Sequence, residues 1–178
     1  RIVIHLVSFA GLDYLGFSQG NSSPSLETHL PDMHFPESPY AKLHGRLRKV
    51  AGDIPVMTMG RLQTPERCET ILADGDADLI GLSRILVSDA DWPRKIKENL
   101  EEKIRPCISC NFCWGEIFAG RKISCVHNPQ LGMSSESGWT PKFASESKKV
   151  VVVGAGVAGL EAACMAAERG HKVIVFGA

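Results

Sequence analysis

The chain concentrates its thiols in one short stretch, RPCISCNFCWGEIFAGRKISCVHNP. Thiolates bind soft or borderline metals, and close spacing lets one loop provide three corners of a metal site. Structural zinc usually combines two Cys-x2-Cys pairs that a longer insert separates, whereas three close cysteines and a distant fourth are more typical of a four-iron four-sulfur cluster. The spacing Cys-x2-Cys-x2-Cys-x11-Cys therefore predicts a 4Fe-4S site, with zinc and a metal-free apolar patch as alternatives. The predicted ligands are Cys107, Cys110, Cys113 and Cys125.

A glycine-rich segment, VVVVGAGVAGLEAA, follows the cysteines and has the pattern G-x-G-x-x-G between a predicted strand and a predicted helix. Gly154 permits the tight turn, Gly156 lets the backbone approach a pyrophosphate, and Gly159 lets the helix pack on the strand. The helix N-terminus offers unpaired N–H groups to the phosphates. This pattern, with Ala155 inside the turn, predicts a site for FAD or another ADP-type dinucleotide, NAD(P)H included. The acidic residue expected after the second strand is missing, because Gly177 stands there.

Composition excludes several classes of partner. Lys+Arg and Asp+Glu both number 20, so the formal net charge is zero and gives no electrostatic reason to expect nucleic acid or an anionic membrane. No apolar run approaches the roughly 20 residues of a membrane span. Long cysteine-free segments flank the thiols, which argues against a secreted disulfide scaffold and favours a reducing, cytoplasmic compartment. The chain starts at Arg1 and stops just after a predicted strand, so we expect a fragment of a longer protein.

Apolar runs and helical patterns alternate along the chain before the cysteines. Strands are predicted at residues 2–7, 13–20, 54–60 and 77–84, helices at 40–52, 64–75 and 89–103, and a long loop at 21–39. A second unit follows with a strand at 148–154, a helix at 158–170 and a strand at 171–176. Continuous apolar strands separated by helices predict an α/β fold with a parallel sheet that helices cover.

The segments IRPCISCNFC…SCVHNP and KKVVVVGAGVAGLEAA together resemble the multidomain relatives of old yellow enzyme, the trimethylamine dehydrogenase / 2,4-dienoyl-CoA reductase family of NADH:flavin oxidoreductases. The segment IPVMTMGRLQTPERCETILADGDADLIGLSRILVSDADWPRKI resembles the last two βα units of their FMN-binding TIM barrel. The resemblance implies three parts. They are the C-terminal portion of an FMN-binding TIM barrel at 1–105, an iron–sulfur cluster segment and linker at 106–147, and the first βαβ of a Rossmann-like FAD/NAD(P)-binding domain at 148–178.

The resemblance also implies residue roles. The four cysteines match the cluster ligands, and two short loops match those that cradle the FMN phosphate. Gly60 and Arg61 follow the seventh barrel strand, while Ser83 and Arg84 follow the eighth, with Ser83 in place of the usual glycine. A solvated surface arginine is the ordinary alternative, but phosphates in TIM barrels commonly lie at these two loops. No catalytic acid or base is assigned, because the family's substrate-handling residues lie mostly in the first half of the barrel.

Five further side chains are weaker candidates. Tyr14, Phe17 and Trp114 are expected to pack in the core more often than to contact a flavin ring. His29 and His34 lie in the predicted long loop and are expected to be surface histidines.

The function that the resemblance implies is a flavin-dependent iron–sulfur oxidoreductase passing electrons between FMN, the cluster and a second nucleotide site. It would act on a small molecule: a secondary or tertiary amine (dehydrogenase/demethylase), or an enoyl compound as a 2,4-dienoyl-CoA-type enoate reductase using NAD(P)H. The second cysteine gap and SGWTPKF favour the amine branch, whereas the x11 gap has the reductase length, so both stay open. An electron-transfer protein and a second copy of the chain are candidate partners. The alternative of another class is a catalytically inactive, cluster-bearing electron-transfer module.

Overall fold

The computed structural model describes residues 11–21, 23–134, 136 and 139–177. It divides into two compact units, Arg1–Ser137 and Gly138–Ala178. The strand predicted at residues 2–7 lies outside the described residues. The three-part division with limits at residues 105 and 147 stays a prediction.

The first unit contains a parallel three-stranded sheet in the order β1-β2-β3. Its strands are β1 (Leu15–Gly16), β2 (Val56–Met59) and β3 (Leu79–Gly81). In this register Leu15 lies opposite Val56 and Met57 lies opposite Leu79. Because the strands are parallel, their carboxyl ends lie at the same edge of the sheet. The predicted α/β class with a parallel sheet is confirmed.

Helices connect and follow these strands. They are α1 (Leu26–His29), α2 (Ala41–Arg48), α3 (Pro65–Ala73), α4 (Arg84–Ser88), α5 (Trp92–Lys97) and α6 (Phe112–Phe118), with a 3-10 turn at Glu101–Lys103. α3 starts as the sequence predicts, because Pro65 at the first helical position lacks an N–H that would have no partner there. Beyond α3, Gly75 has a φ of +69° and reverses the chain toward β3.

Several predicted bounds were wrong. β1 has two residues instead of eight, and the predicted loop at 21–39 contains α1. The single helix predicted at 89–103 ends at Lys97, because Asn99 adopts a left-handed φ of +53° that an α-helix cannot continue through. The short helices α4 and α6 were not predicted, since each is less than about two turns long and carries little periodicity.

The core of the first unit lies between the sheet and helices α2 to α5. Its buried apolar residues are Ala41, Leu62, Cys68, Ile71, Ala77, Ile85 and Trp92. Ile71 on α3 has none of its surface exposed. Ile104 and Cys107 pack against this core from the segment that leads into the cysteines. Cys107, the first cysteine of the predicted metal site, is therefore anchored by the same packing that holds the helices on the sheet.

The second unit is a β-α-β arrangement. β4 (Lys149–Val153) runs parallel to β5 (Lys172–Phe176), and α7 (Val157–Glu168) connects them. All three elements confirm the sequence prediction within three residues at each end. In the parts of the chain that the structure describes, no helix combines the length and the apolar character needed to cross a bilayer.

Candidate functional site

A cavity of about 200 Å³ opens at the carboxyl ends of β1, β2 and β3. Ser18 and Gln19 enter it after β1, residues 60–63 after β2, and residues 82–84 after β3. We call it the strand-end cavity. The structure thus brings together Gly60, Arg61, Ser83 and Arg84, the four residues predicted to cradle a flavin phosphate. Ligands of parallel α/β proteins bind at this edge, because the loops after the strands converge there.

The loop after β2 has an unusual backbone. Gly60 and Arg61 have φ values of +105° and +48°, so two consecutive residues lie in the left-handed half of conformational space. A Cβ at Gly60 would lie 3.0 Å from the ring of Tyr40, and glycine therefore suits both the angle and the space. Among the described residues, the buried Nε of Arg61 has no hydrogen-bond partner. A buried donor without a partner costs about 1–3 kcal/mol, which an anionic ligand would recover.

Arg84 enters the strand-end cavity from the first residue of α4. Its Nη1 donates to Asn111 Oδ1, and its Nη2 donates to Pro31 O at 2.8 Å. Burial lowers the pKa of Arg84, although Cys107 and Cys113 nearby oppose this shift. An arginine remains charged in proteins, so a fixed positive charge faces the cavity. Ser83 has a negative φ of −140°, so this position does not need the left-handed conformation that favours glycine.

A second, smaller cavity is lined by all four cysteines of the predicted metal site. Its walls also include Val87, Ile108, Phe112 and Val126. We call it the cysteine cavity. The Sγ of Cys107 accepts the N–H of Ser109 at 3.4 Å, and the Sγ of Cys125 accepts the N–H of His127 at 3.4 Å. Backbone N–H donors to sulfur are a feature by which proteins tune iron–sulfur sites.

The charges of the thiols act on one another. Burial raises the pKa of Cys113, and the neighbouring Cys107 and Cys125 raise it further. Deprotonating several of these sulfurs together is therefore costly unless positive charge lies between them, which a thiolate-bound metal group would supply. Over the described ranges, no three His, Cys, Asp or Glu side chains converge closely enough to hold a single metal ion. The donor set fits a sulfur-ligated group, and the 4Fe-4S site itself stays a prediction.

The two cavities share walls. Arg84 and Cys107 line both of them. The Nε2 of Gln63, in the loop after β2, donates to Cys107 O and to Ser109 Oγ, the latter at 3.3 Å. Ser109 is only 1% exposed and has φ +54°, so the cysteine loop is tightly folded where it meets the strand-end cavity.

The glycine-rich turn of the second unit has the geometry predicted for it. Gly154 has φ +108°, and a Cβ on Gly159 would overlap Gly154 O, so the start of α7 lies directly against the turn. A Cβ on Gly156 would meet open space, which leaves room for a ligand beside the backbone. A Cβ on Gly177 would overlap the side chain of Ala155. The missing acidic residue is thus explained by packing, because β5 ends against the turn itself.

Comparison with known proteins decides the family. Residues 27–103 match the model of the NADH:flavin oxidoreductase / NADH oxidase family. Cinnamate reductase from Clostridium sporogenes is 41% identical over 168 residues, covering 94% of this chain. The chain is therefore related to the NADH:flavin oxidoreductase / NADH oxidase family, which it matches over residues 27–103. Residues 131–178 also match the model of the alanine dehydrogenase/PNT C-terminal domain.

Other relatives of this chain support the same resemblance. An NADH oxidase from Thermoanaerobacter brockii is 38% identical over 98% of the chain. The solved structure of histamine dehydrogenase from Rhizobium sp. 4-9 is 30% identical, covers 99% of the chain and superposes with a TM-score of 0.85. The chain spans about a quarter of each relative: 25% of the cinnamate reductase, 27% of the NADH oxidase and 26% of the histamine dehydrogenase. The predicted resemblance is confirmed.

Sequence reasoning missed some residues of the strand-end cavity. His29 is half-buried and lines the cavity instead of lying at the surface, with its Nδ1 2.9 Å from Ser18 Oγ. His34 is exposed, as predicted, and pairs with Asp32. The weaker aromatic candidates lie elsewhere: of the described residues that line the cavity, none is Tyr14, Phe17 or Trp114.

A buried polar network behind the cavity was also missed. His44 on α2 is fully buried, with Nδ1 2.7 Å from Thr58 Oγ1 and Nε2 3.0 Å from Gln19 Nε2. Since the amide nitrogen of Gln19 is a donor, His44 Nε2 accepts and Nδ1–H donates to Thr58, which requires the neutral imidazole. Burial lowers the pKa of His44 and favours that form. The network fixes Gln19 at the cavity wall.

Proposed function

We propose that this chain forms part of a flavin-dependent iron–sulfur oxidoreductase whose strand-end cavity receives the phosphate end of FMN. The observation that carries the proposal is the convergence of two arginine-bearing loops on one cavity at the carboxyl ends of parallel strands. The unpartnered Nε of Arg61 and the guanidinium of Arg84 supply charge and donors for a phosphate. Gly60 lets its loop pass close to the ring of Tyr40 with a left-handed φ, which places Arg61 at the cavity.

The four cysteines would hold a 4Fe-4S cluster in the cysteine cavity. When bound, such a cluster supplies one-electron transfer. The residues of this chain surround the sulfurs with apolar side chains and direct the N–H groups of Ser109 and His127 at two of them. Arg84 places a positive charge near Cys107 and Cys113 on the side that faces the strand-end cavity.

Gly154, Ala155, Gly156 and Gly159 would bind the pyrophosphate of FAD or another ADP-type dinucleotide, NAD(P)H included. The open space at Gly156 supports this proposal, as does the match of residues 131–178 to a dehydrogenase domain. Gly177 provides no carboxylate for a ribose hydroxyl, so this part of the ligand needs another contact.

The substrate would be a small amine or an enoyl compound. One relative is named cinnamate reductase and one neighbour histamine dehydrogenase, so the similarity supports both branches. In the amine branch an electron-transfer protein would accept the electrons, and a second copy of the chain is a further candidate partner. A reducing, cytoplasmic location suits a protein with exposed Cys110 beside other thiols. A catalytically inactive electron-transfer module is the alternative of another class.

The test uses the full-length protein, purified without oxygen. We expect heating to release FMN, and chemical analysis to find about four iron atoms per chain. An amine that bleaches the flavin without NADH would favour the dehydrogenase branch, whereas flavin reoxidation by an enoyl compound after NADH reduction would favour the reductase. Iron without flavin would favour the inactive module. A protein free of both iron and flavin would contradict the proposal.

A further inference from the structure

Asn111 lies inside the cysteine motif, between Cys110 and Cys113, at the residue that precedes α6. Asparagine at this position usually caps the helix, but the side chain of Asn111 makes no capping bond. Its backbone has φ +58°, a left-handed conformation that asparagine tolerates better than most residues. The side chain is therefore directed away from its own helix by a backbone that few residue types would accept.

The amide of Asn111 instead joins two distant loops. Its Nδ2 donates to Leu30 O at 2.9 Å, and its Oδ1 accepts from Nη1 of Arg84. Leu30 lies at the end of α1, and Arg84 lies after β3. Both residues line the strand-end cavity, whereas Asn111 lines the cysteine cavity.

Arg84 is thereby held at two points, by Asn111 Oδ1 and by Pro31 O. These two bonds use two of the five N–H groups of a guanidinium. The others remain for a ligand, and the planar fork loses little entropy on binding because its orientation is already set.

We propose that Asn111 is a positioning residue for the flavin phosphate: the cysteine loop orients Arg84 toward the strand-end cavity through this one amide. The inference rests on the proposed FMN site and deepens it. Phosphate recognition in the strand-end cavity then depends on Asn111, a side chain that lines the cysteine cavity. A loss of order in the cysteine loop then weakens FMN binding even when the loops after the strands are intact.

The experiment compares FMN with riboflavin, which has the same ring system but no phosphate. Flavin is removed from the full-length protein, and quenching of flavin fluorescence gives both dissociation constants for the parent and for Asn111→Gly. Glycine accepts φ +58° without strain, so this substitution removes the amide and leaves the backbone favoured. We expect FMN affinity to fall about tenfold and riboflavin affinity to change by less than about twofold.

Asn99→Gly is the matched control. Asn99 has φ +53° and is exposed at the end of α5, away from both cavities. This variant should bind both flavins like the parent. If Asn111→Gly does not fold, Asn111→Asp keeps a residue type that tolerates this backbone, loses the donor to Leu30 and places a negative charge beside Arg84, and an FMN-selective loss is again expected.

The outcomes separate the two proposals. Equal losses for FMN and riboflavin, or no loss of either, would overturn the positioning role of Asn111 while leaving the FMN site in place. A parent protein that binds FMN no better than riboflavin would overturn the phosphate site itself, and with it the role of Asn111.

Discussion

The two proposed phosphate sites of this chain are built in different ways. The glycine-rich turn is local: one strand, one turn and the start of α7 form it, and backbone groups supply its donors. The strand-end cavity relies on arginine side chains that other loops hold in place. Asn111, for instance, reaches Leu30 across 81 positions of sequence. A phosphate site that uses backbone donors can thus be formed by one short sequence motif, whereas a site that uses side-chain donors depends on tertiary contacts.

This difference predicts different sensitivities. In the glycine turn, substitutions should act through space, because a Cβ either overlaps the backbone or fills the room left for a ligand. In the strand-end cavity, substitutions should act through the charge and orientation of the arginines. Changes in the cysteine loop should therefore also alter ligand affinity in this cavity.

The largest expected effect is on metal content. Cys110→Ser replaces a thiolate by a poor ligand for iron, so we expect the purified full-length protein to lose most of its iron. Cys164→Ser is the matched control, since Cys164 is also exposed but lies on α7 in the second unit. Iron and acid-labile sulfide assays give the result. Equal iron in the two variants would contradict the assignment of the cysteine cavity.

The next largest effect concerns Arg84. Arg84→Ala removes a charged, two-point-anchored donor from the strand-end cavity, and we expect FMN affinity to fall about a hundredfold, or about 3 kcal/mol. Dinucleotide binding to the second unit should not change, because that site uses backbone donors. Arg94→Ala is the control: Arg94 is exposed and pairs with Asp91 and Glu98. Flavin fluorescence titrations measure the effect, and unchanged FMN affinity in Arg84→Ala would argue against a phosphate at this cavity.

Two glycine substitutions test the glycine-rich turn of the second unit. Gly159→Ala should lower the free energy of unfolding of the second unit by about 1–3 kcal/mol, since the new Cβ overlaps Gly154 O. Gly156→Ala should leave stability nearly unchanged, because its Cβ meets open space, yet weaken dinucleotide binding by occupying that space. Thermal unfolding and ligand titration separate the two. If both variants unfold alike, the packing explanation of Gly159 is wrong.

The smallest expected effect is a pH dependence from His44. Burial lowers the pKa of His44 below its ordinary value of 6.5, so at acidic pH the unfolded chain binds more protons than the folded chain. The stability of the first unit should therefore be complete above that value and fall as the pH drops below it. Hydrogen exchange of the β2 amides, measured near pH 7.5 and 5.5 and corrected for intrinsic rates, tests this. His44→Gln should remove part of the dependence, and an unchanged dependence in this variant would contradict the role of His44.

Much of the candidate site could be predicted from local sequence. Cysteine spacing identified four of the residues that line the cysteine cavity, and the pattern around Gly154 identified the strand, turn and helix. The loops with Arg61 and Arg84 were assigned from the resemblance to a flavin-binding barrel, and their place directly after apolar strands agreed with it, because parallel strands bring such loops to one edge. The cysteine and glycine predictions depend on short-range spacing and turn chemistry.

The remaining features were decided only by the tertiary structure. Neither the burial of His44 nor the place of His29 in the cavity follows from its neighbours in sequence, because His44 contacts Gln19 and Thr58, and His29 contacts Ser18, all of them distant in the chain. The break at Asn99 and the capless start of α6 at Asn111 depend on left-handed residues that helical periodicity cannot reveal. Sequence alone determined which groups could bind metal and phosphate. Only the tertiary structure places Arg84 and Cys107 in the walls of both cavities, because contacts among distant loops form only when the core has packed.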